Sequence, residues 1–124
     1  MALVVVIGSA NMDLVAVTPR LPRIGETVIG SRFEVVPGGK GSNQAVAARR
    51  MGADVAFVAR VGADAFGDQL LSSWQREGID VAYVARDRDA PTGIALIEVD
   101  RAGRNRIVVV PGANALLSPA DVAR

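Results

Sequence analysis

Two short stretches of the sequence carry polar side chains that could bind a ligand. GSANMD places Asn11 and Asp13 two residues apart after an apolar run, so both side chains point the same way if the chain is extended there. PGGKGSN places Gly39, Lys40 and Asn43 at the apparent start of a helix. A carboxylate accepts two hydroxyl hydrogen bonds, whereas lysine and asparagine donate to further oxygens. This set predicts a site for a neutral polyol such as a sugar.

A phosphate ligand is the chemical alternative for the glycine loop. EVVPGGKGS departs from the Walker A pattern, because Glu34 stands at the position of its first glycine and Gly41 follows Lys40 in place of serine or threonine. GSANMD likewise lacks the G-x-G-x-x-G spacing. Backbone N–H groups at a helix start can hold an anion without such a motif, so this alternative stays open.

Purely structural roles are the other alternative. Asn11 and Asp13 can cap a turn, and Gly39 can serve backbone geometry alone. Asn43, in a first helical turn, is ordinarily solvated or a local cap. Lys40 is the only lysine of the chain, and a cation at a helix N-terminus is electrostatically disfavoured unless something compensates it. The joint occurrence of these residues favours the ligand site.

Composition excludes several kinds of chemistry within the 124 residues. The lack of cysteine and histidine removes disulfides, thiolate nucleophiles, histidine zinc sites and Ser-His-Asp triads. The 14 basic and 13 acidic residues are interspersed and leave a net charge of +1, so we expect neither a nucleic-acid stripe nor a membrane-binding patch. The apolar N-terminal run reaches Asn11 too soon for a signal peptide or a spanning helix, which predicts a cytoplasmic protein.

The hydrophobic pattern predicts an α/β fold in which parallel strands alternate with helices. Residues 3–9 form a β-branched run that we expect as the first central strand, buried on both faces. Ser42 is expected to cap a helix that Gly52 ends, and a second helix is expected over 65–77. The other strands of this βαβαβ unit are predicted over 55–62 and 79–86. Since ligands bind beyond the carboxyl ends of strands in such sheets, the two polar stretches should meet at one edge.

Two segments depart from this alternation. Residues 14–36 contain short alternating pieces broken by proline and glycine, which predicts a small antiparallel excursion outside the main sheet. Residues 92–111 predict a hairpin with Gly103 at its turn. Near the end, Ser118 and Pro119 mark a helix start with little room to continue, so we expect this sequence to be cut from a longer one.

The glycine loop resembles the N-terminal signature of the ribokinase (phosphofructokinase B-type) carbohydrate kinases. That signature spaces a Gly-Gly loop, an asparagine, a small residue and later glycines at fixed distances, and its counterparts here are Gly39, Gly41, Asn43, Ala45, Gly52 and Gly62. GSANMD resembles the family's first-strand substrate segment. GETVIG and PGANALLSP resemble the ribokinase branch more than the fructokinase or nucleoside kinase branches. The resemblance spans essentially the whole chain.

The resemblance implies a three-layer αβα fold with a small protruding β-sheet lid. Residues 1–124 would form only the N-terminal, sugar-binding part of that fold, without the C-terminal nucleotide-binding part. Segments 14–36 and 92–111 would form the lid, which closes over the sugar and pairs two subunits as a homodimer. Val109, on the hairpin, would be an apolar lid contact with the sugar.

The resemblance also assigns roles to the polar residues. Asn11 and Asp13 would bind sugar hydroxyls. Gly39, Lys40 and Asn43 would complete the pocket, with the Asp13 carboxylate offsetting the charge of Lys40.

The implied activity is ATP-dependent phosphorylation of D-ribose to ribose 5-phosphate, with Mg²⁺ and a monovalent cation. The family's second signature, a Gly-Ala-Gly-Asp segment with the catalytic aspartate and the anion hole, does not occur in this sequence. We therefore expect this chain alone to bind no nucleotide or metal and to be inactive. The alternatives are another sugar or nucleoside kinase of the family, or a non-catalytic fragment that only binds sugar or dimerises.

Overall fold

The computed structural model describes residues 3–123, which form two β-sheets with helices packed beside them. The strands are β1 (Leu3–Ile7), β2 (Asn11–Val17), β3 (Arg32–Gly38), β4 (Asp54–Gly62), β5 (Val84–Asp87), β6 (Gly93–Val99) and β7 (Asn105–Val110). The helices are α1 (Lys40–Arg50), α2 (Ala65–Arg76), a 3-10 helix (Gly112–Leu116) and α3 (Pro119–Val122). The α/β class predicted from the sequence is confirmed.

The main sheet is parallel and has the strand order β1-β4-β5. Alternate residues of β4 pack in one core with Leu70 and Trp74 of α2 and Ala45 of α1, so both helices cover the same face. Phe57 meets Trp74 edge-to-face with ring centroids 4.9 Å apart. The opposite face of β4 carries Arg60, whose guanidinium bonds Asp121 of α3 at 3.2 Å, so α3 lies on the other side of the sheet.

The second sheet contains four strands in the order β3-β2-β6-β7 and uses the two segments that the sequence set apart. β2 pairs antiparallel with β3 and parallel with β6, and β6 and β7 form the predicted hairpin. Gly103 turns this hairpin with φ 79°, a conformation that L side chains rarely adopt. Within residues 3–123, no helix has the length and apolarity needed to cross a membrane.

Three details of the main sheet differ from the sequence-based expectations. Within residues 3–123, β1 ends at Ile7 and pairs only with β4, so it lies at an edge of the described sheet, where Leu3 and Val5 are 70% and 54% exposed. The third strand pairs regularly only over β5, with one isolated bridge at Asp80. The chain turns between them because the Asp80 carboxylate accepts the Ala82 N–H at 2.9 Å.

The start of α1 also differs from the prediction. The helix begins at Lys40 with Gly39 as its N-cap, and Ser42 lies buried inside the first turn. The Ser42 hydroxyl instead accepts the indole N–H of Trp74 at 2.9 Å, which ties α1 to α2. Gly52 follows the end of α1 with φ 100°, and α2 closely matches its predicted span.

Candidate functional site

Asn11 and Asp13 lie on β2, at the point where the chain passes from the main sheet into the second sheet. Gly38 of β3 and Gly93 of β6 flank Asn11 in the register, and Val36 and Ala95 flank Asp13. Paired residues of neighbouring strands share a face, and so do residues two apart on one strand. The two polar side chains therefore stand on one face of the second sheet, as the sequence predicted; we call this the site face.

The glycine loop approaches these residues from β3. A Cβ built on Gly38 would lie 2.2 Å from Oδ2 and 2.6 Å from Oδ1 of Asp13, so the carboxylate rests directly over this glycine. A Cβ on Gly39, which has φ 92°, would lie 2.9 Å from the backbone nitrogen of Asn11. The loop is thus held against Asn11 and Asp13 at a distance that only glycine allows, and it delivers Lys40 as the first residue of α1.

The Asp13 carboxylate has no hydrogen-bond or ion-pair partner anywhere in residues 3–123, although the residue is half-buried. Burial raises its pKa above the ordinary value of 3.8. No side-chain oxygen or nitrogen of the described chain is both buried and unbonded, so these carboxylate oxygens remain open to solvent. A carboxylate in this state is an acceptor available to a hydroxyl-bearing ligand. It caps no turn, which removes that structural alternative for Asp13.

Lys40 and Asn43 share one side of α1, three residues apart. Lys40 is exposed, and across the described residues no ion pair joins it to Asp13, so the expected charge compensation does not occur in this structure. Asn43 is exposed and lines a cavity of about 570 Å³ between β3, α1 and α2. That cavity includes Val36, the register partner of Asp13, but its lining does not include Asp13 itself.

Val109 lies on the same cross-strand row as Asp13. It pairs with Ala95, which pairs with Asp13, so Val109 is on the site face two strands away. With neighbouring strands about 4.8 Å apart, the two backbones are about 10 Å from each other. The Val109 side chain is 54% exposed and can contact a ligand that Asp13 holds.

Asn114 contacts the candidate site and was not predicted from the sequence. Its side-chain oxygen accepts the Ala10 N–H at 2.9 Å, and its side-chain nitrogen donates to the Ala10 carbonyl at 2.9 Å and to Asn11 Oδ1 at 2.8 Å. Gly93 admits this contact, because a Cβ there would lie 2.3 Å from Asn114 Nδ2. The stretch PGANALLSP was the available signal, but a partner 103 residues away could not be inferred from it.

An anion cradle at the start of α1 receives less support than a polyol site. The Ser42 N–H, one of the first-turn amides that such a cradle would use, donates to the Ser9 carbonyl at 3.0 Å. A Cβ on Gly41 would lie 2.7 Å from both Gly8 C and Ser9 N, so the helix start is packed against backbone. The open groups around Asp13 are those that hydroxyls can use.

The fold is that of the ribokinase-type carbohydrate kinases. The chain belongs to the pfkB family of carbohydrate kinases, because the model of that family matches residues 1–123. It is 45% identical over 123 residues to the ribokinase of Mus musculus, a match that covers 99% of this chain and 38% of that protein. The family predicted from the glycine loop is confirmed.

Solved structures give the same family and fold. The ribokinase from Giardia lamblia superposes with a TM-score of 0.90 at 41% identity, covering 99% of this chain and 38% of that one. Arabidopsis thaliana ribokinase complexed with ribose and ATP superposes with a TM-score of 0.82 at 37% identity, covering 92% of this chain and 38% of that one. This chain therefore spans well under half the length of these relatives.

Proposed function

We propose that the chain forms the sugar-binding part of a kinase that transfers a phosphoryl group from ATP to D-ribose, giving ribose 5-phosphate. The observation that carries this proposal is the partnerless Asp13 carboxylate over Gly38, beside Asn11 and the start of α1. The ribokinase relatives, one of them complexed with ribose and ATP, support the choice of sugar and of phosphoryl donor.

The residues of this chain would bind and orient the sugar. Asp13 accepts hydrogen bonds from hydroxyls, while Asn11, Lys40 and Asn43 donate to hydroxyl oxygens. Val109 would cover the sugar from β7. The second sheet would then act as a lid whose site face lies against the sugar. The two segments 14–36 and 92–111 supply the strands of that lid.

Phosphoryl transfer needs groups beyond those of the sugar site. It requires charge stabilisation around the phosphates and a base near the accepting hydroxyl. Within the described part of the chain, no group of three or more acidic side chains is placed to hold a metal ion. We assign ATP, Mg²⁺, the monovalent cation and the catalytic base to the part of the relatives' fold that this chain does not cover, since it matches 38% of mouse ribokinase. The purified chain should not consume ATP when ribose is added.

The second sheet also supports pairing of two chains. Opposite the site face lies an outer face with exposed apolar side chains: Phe33, Val35, Leu96, Val108 and Val110. Soluble proteins rarely leave a contiguous apolar patch of this kind in water. A homodimer that buries the outer faces against each other would cover it, with the site faces left for the sugar. Light scattering at tens of micromolar should give twice the chain mass of 12.9 kDa, and a monomer mass for the folded chain would contradict this pairing.

A sugar titration followed by NMR tests the binding function. Ribose added to the ¹⁵N-labelled chain should produce saturable shifts at Asn11, Asp13, Gly39 and Lys40, with an affinity of about millimolar for a site without its remaining walls. Asp13→Asn should remove these shifts, whereas Asp89→Asn, at an exposed acid in the loop between β5 and β6, should keep them. Saturable binding of fructose or adenosine in place of ribose would assign the chain to another kinase of the family. Shifts that are unchanged in Asp13→Asn would place the sugar elsewhere.

A further inference from the structure

We infer that Asn114 is a positioning residue that fixes the side-chain amide of Asn11 with its NH₂ group turned toward the ligand. This inference deepens the proposed sugar site and rests on it for the identity of the ligand. The orientation itself follows from hydrogen bonds within the protein.

The orientation of the Asn114 amide is decided by backbone groups. A backbone N–H can only donate and a backbone carbonyl can only accept. Asn114 meets both at the same residue, since its oxygen faces the Ala10 N–H and its nitrogen faces the Ala10 carbonyl, each at 2.9 Å. If the oxygen and nitrogen of this amide were exchanged, its NH₂ group would face the Ala10 N–H and its oxygen would face the Ala10 carbonyl. Neither pair could form a hydrogen bond. Asn114 therefore has one possible orientation.

The orientation of Asn11 then follows from that of Asn114. The second proton on Asn114 Nδ2 points at the Asn11 side chain at 2.8 Å, and only an oxygen can accept it. Asn11 Oδ1 thus accepts a hydrogen bond from within the protein. Asn11 Nδ2 has no acceptor among residues 3–123, and it is not a buried unbonded atom, so it is open to solvent. The site consequently presents a fixed donor at Asn11 on the same face as the open acceptor at Asp13.

This pairing selects the chemical class of the ligand group. A hydroxyl can accept from the Asn11 amide and donate to the Asp13 carboxylate, either through one group or through two neighbouring ones. An ether or carbonyl oxygen cannot donate to Asp13, and an ammonium group cannot accept from Asn11. Without Asn114, the Asn11 amide could rotate and present an acceptor beside another acceptor. Asn114 therefore contributes to hydroxyl specificity without touching the ligand.

Two substitutions separate positioning from simple support of the fold. Asn114→Asp keeps an acceptor for the Ala10 N–H but replaces the donor to Asn11 with an acceptor, so the Asn11 amide should reverse. Asn114→Ala removes all three bonds and leaves the Asn11 amide free to rotate. Asn114→Asp also sets a carboxylate oxygen against the Ala10 carbonyl, so only variants that keep the parent fold are compared. If Asn114 acted only on stability, the two folded variants would bind ribose alike. Because Asn114 sets the orientation of Asn11, the folded aspartate variant should bind ribose about tenfold or more weakly than the alanine variant.

The experiment uses the intact chain with ribose as the probe. Through-hydrogen-bond NMR coupling from Asn114 Nδ2 to Asn11 Cγ should be detected in the parent chain, and ribose affinity should fall in the order parent, Asn114→Ala, Asn114→Asp. Asn105→Ala, at an exposed asparagine at the far end of β7, should match the parent. A coupling from Asn11 Nδ2 to Asn114 Cγ would overturn the inference, as would an alanine variant that binds no better than the aspartate variant.

The NMR coupling between Asn114 and Asn11 and the ribose titration test different statements, so one can fail without the other. If the parent chain binds no ribose, the proposed sugar site of the isolated chain fails, while the coupling still decides the orientation of Asn11. If either variant does not fold, the coupling in the parent chain gives the same decision. Affinities are compared only between variants whose amide spectra outside the site match that of the parent.

Discussion

Gly38 and Gly41 stand three residues apart in one loop, and replacing each with alanine should have opposite consequences. The three atoms nearest to a Cβ on Gly38 belong to the carboxylate of Asp13, at 2.2 to 2.6 Å. The atoms nearest to a Cβ on Gly41 are backbone, with Gly8 C and Ser9 N at 2.7 Å. A side-chain end can rotate away from such an overlap, whereas packed backbone cannot. Gly38→Ala should therefore damage the site, and Gly41→Ala should damage the fold.

The magnitudes follow from these contacts. At Gly38 the overlap is about 1 Å relative to an ordinary carbon–oxygen contact. Moving Asp13 aside costs about 0.5–1.5 kcal/mol, and the lower chain entropy of alanine in a strand returns about 0.5–1 kcal/mol, so the free energy of unfolding should change by less than about 1 kcal/mol. Gly41→Ala should lower it by about 1–3 kcal/mol, the usual cost of overpacking. Losing the charged hydrogen bonds of Asp13 should weaken ribose binding about 10- to 150-fold in Gly38→Ala.

Urea denaturation followed by the fluorescence of buried Trp74, together with ribose titration, measures both effects on the same samples. The expected pattern is a stable Gly38→Ala chain that binds poorly, and a destabilised Gly41→Ala chain. A Gly38→Ala chain that binds ribose as well as the parent would contradict the role of Asp13 in binding. A Gly38→Ala chain that is less stable than Gly41→Ala would contradict the difference between side-chain and backbone contacts.

Three further outcomes are expected. Burial raises the pKa of Asp13 in the folded state, so folding loses stability as pH rises above 3.8; Asp13→Asn should unfold at higher urea than the parent at pH 7, and this gain should vanish below pH 3.8. The N–H of Ala90 and the guanidinium of Arg60 lower the pKa of Asp87 to about 2, so its contribution is present above 3.8 and lost as pH falls toward 2; Asp87→Asn should flatten the urea midpoint across that interval. Trp74→Phe should lower the free energy of unfolding by about 1–3 kcal/mol by circular dichroism, since it leaves the Ser42 hydroxyl without its donor, and adding Ser42→Ala should recover part of the loss.

Features governed by local chemistry could be predicted from the sequence. Gly52 and Gly103 adopt the positive φ that their positions suggested, and the helix starting after Ser118 forms, with Asp121 accepting the Ser118 N–H at 3.0 Å. The shared face of Asn11 and Asp13 follows from strand periodicity alone. These predictions succeed because each depends on a few consecutive residues.

Features governed by distant contacts could not be predicted. The position of β1 at a sheet edge depends on which strands pair with it, and a run of valines is the same at an edge as at a centre. The sequence around Ser42 is typical of a helix cap, but the Ser42 hydroxyl accepts the indole N–H of Trp74, 32 residues later. The contact of Asn114 with Asn11 depends on the full course of the chain between them. Residue types and short spacings contain none of this information.

The proposed function of this chain is to supply the sugar site of a ribose kinase. The most direct measurement joins it to the remaining residues of mouse ribokinase, in place of the 38% of that protein that it matches, and follows ATP-dependent phosphorylation of ribose. We expect a folded chimera that phosphorylates ribose, loses activity at least about tenfold with Asp13→Asn, and keeps it with Asp89→Asn. A folded chimera that does not phosphorylate ribose, or one that Asp13→Asn leaves unchanged, would contradict the proposed function.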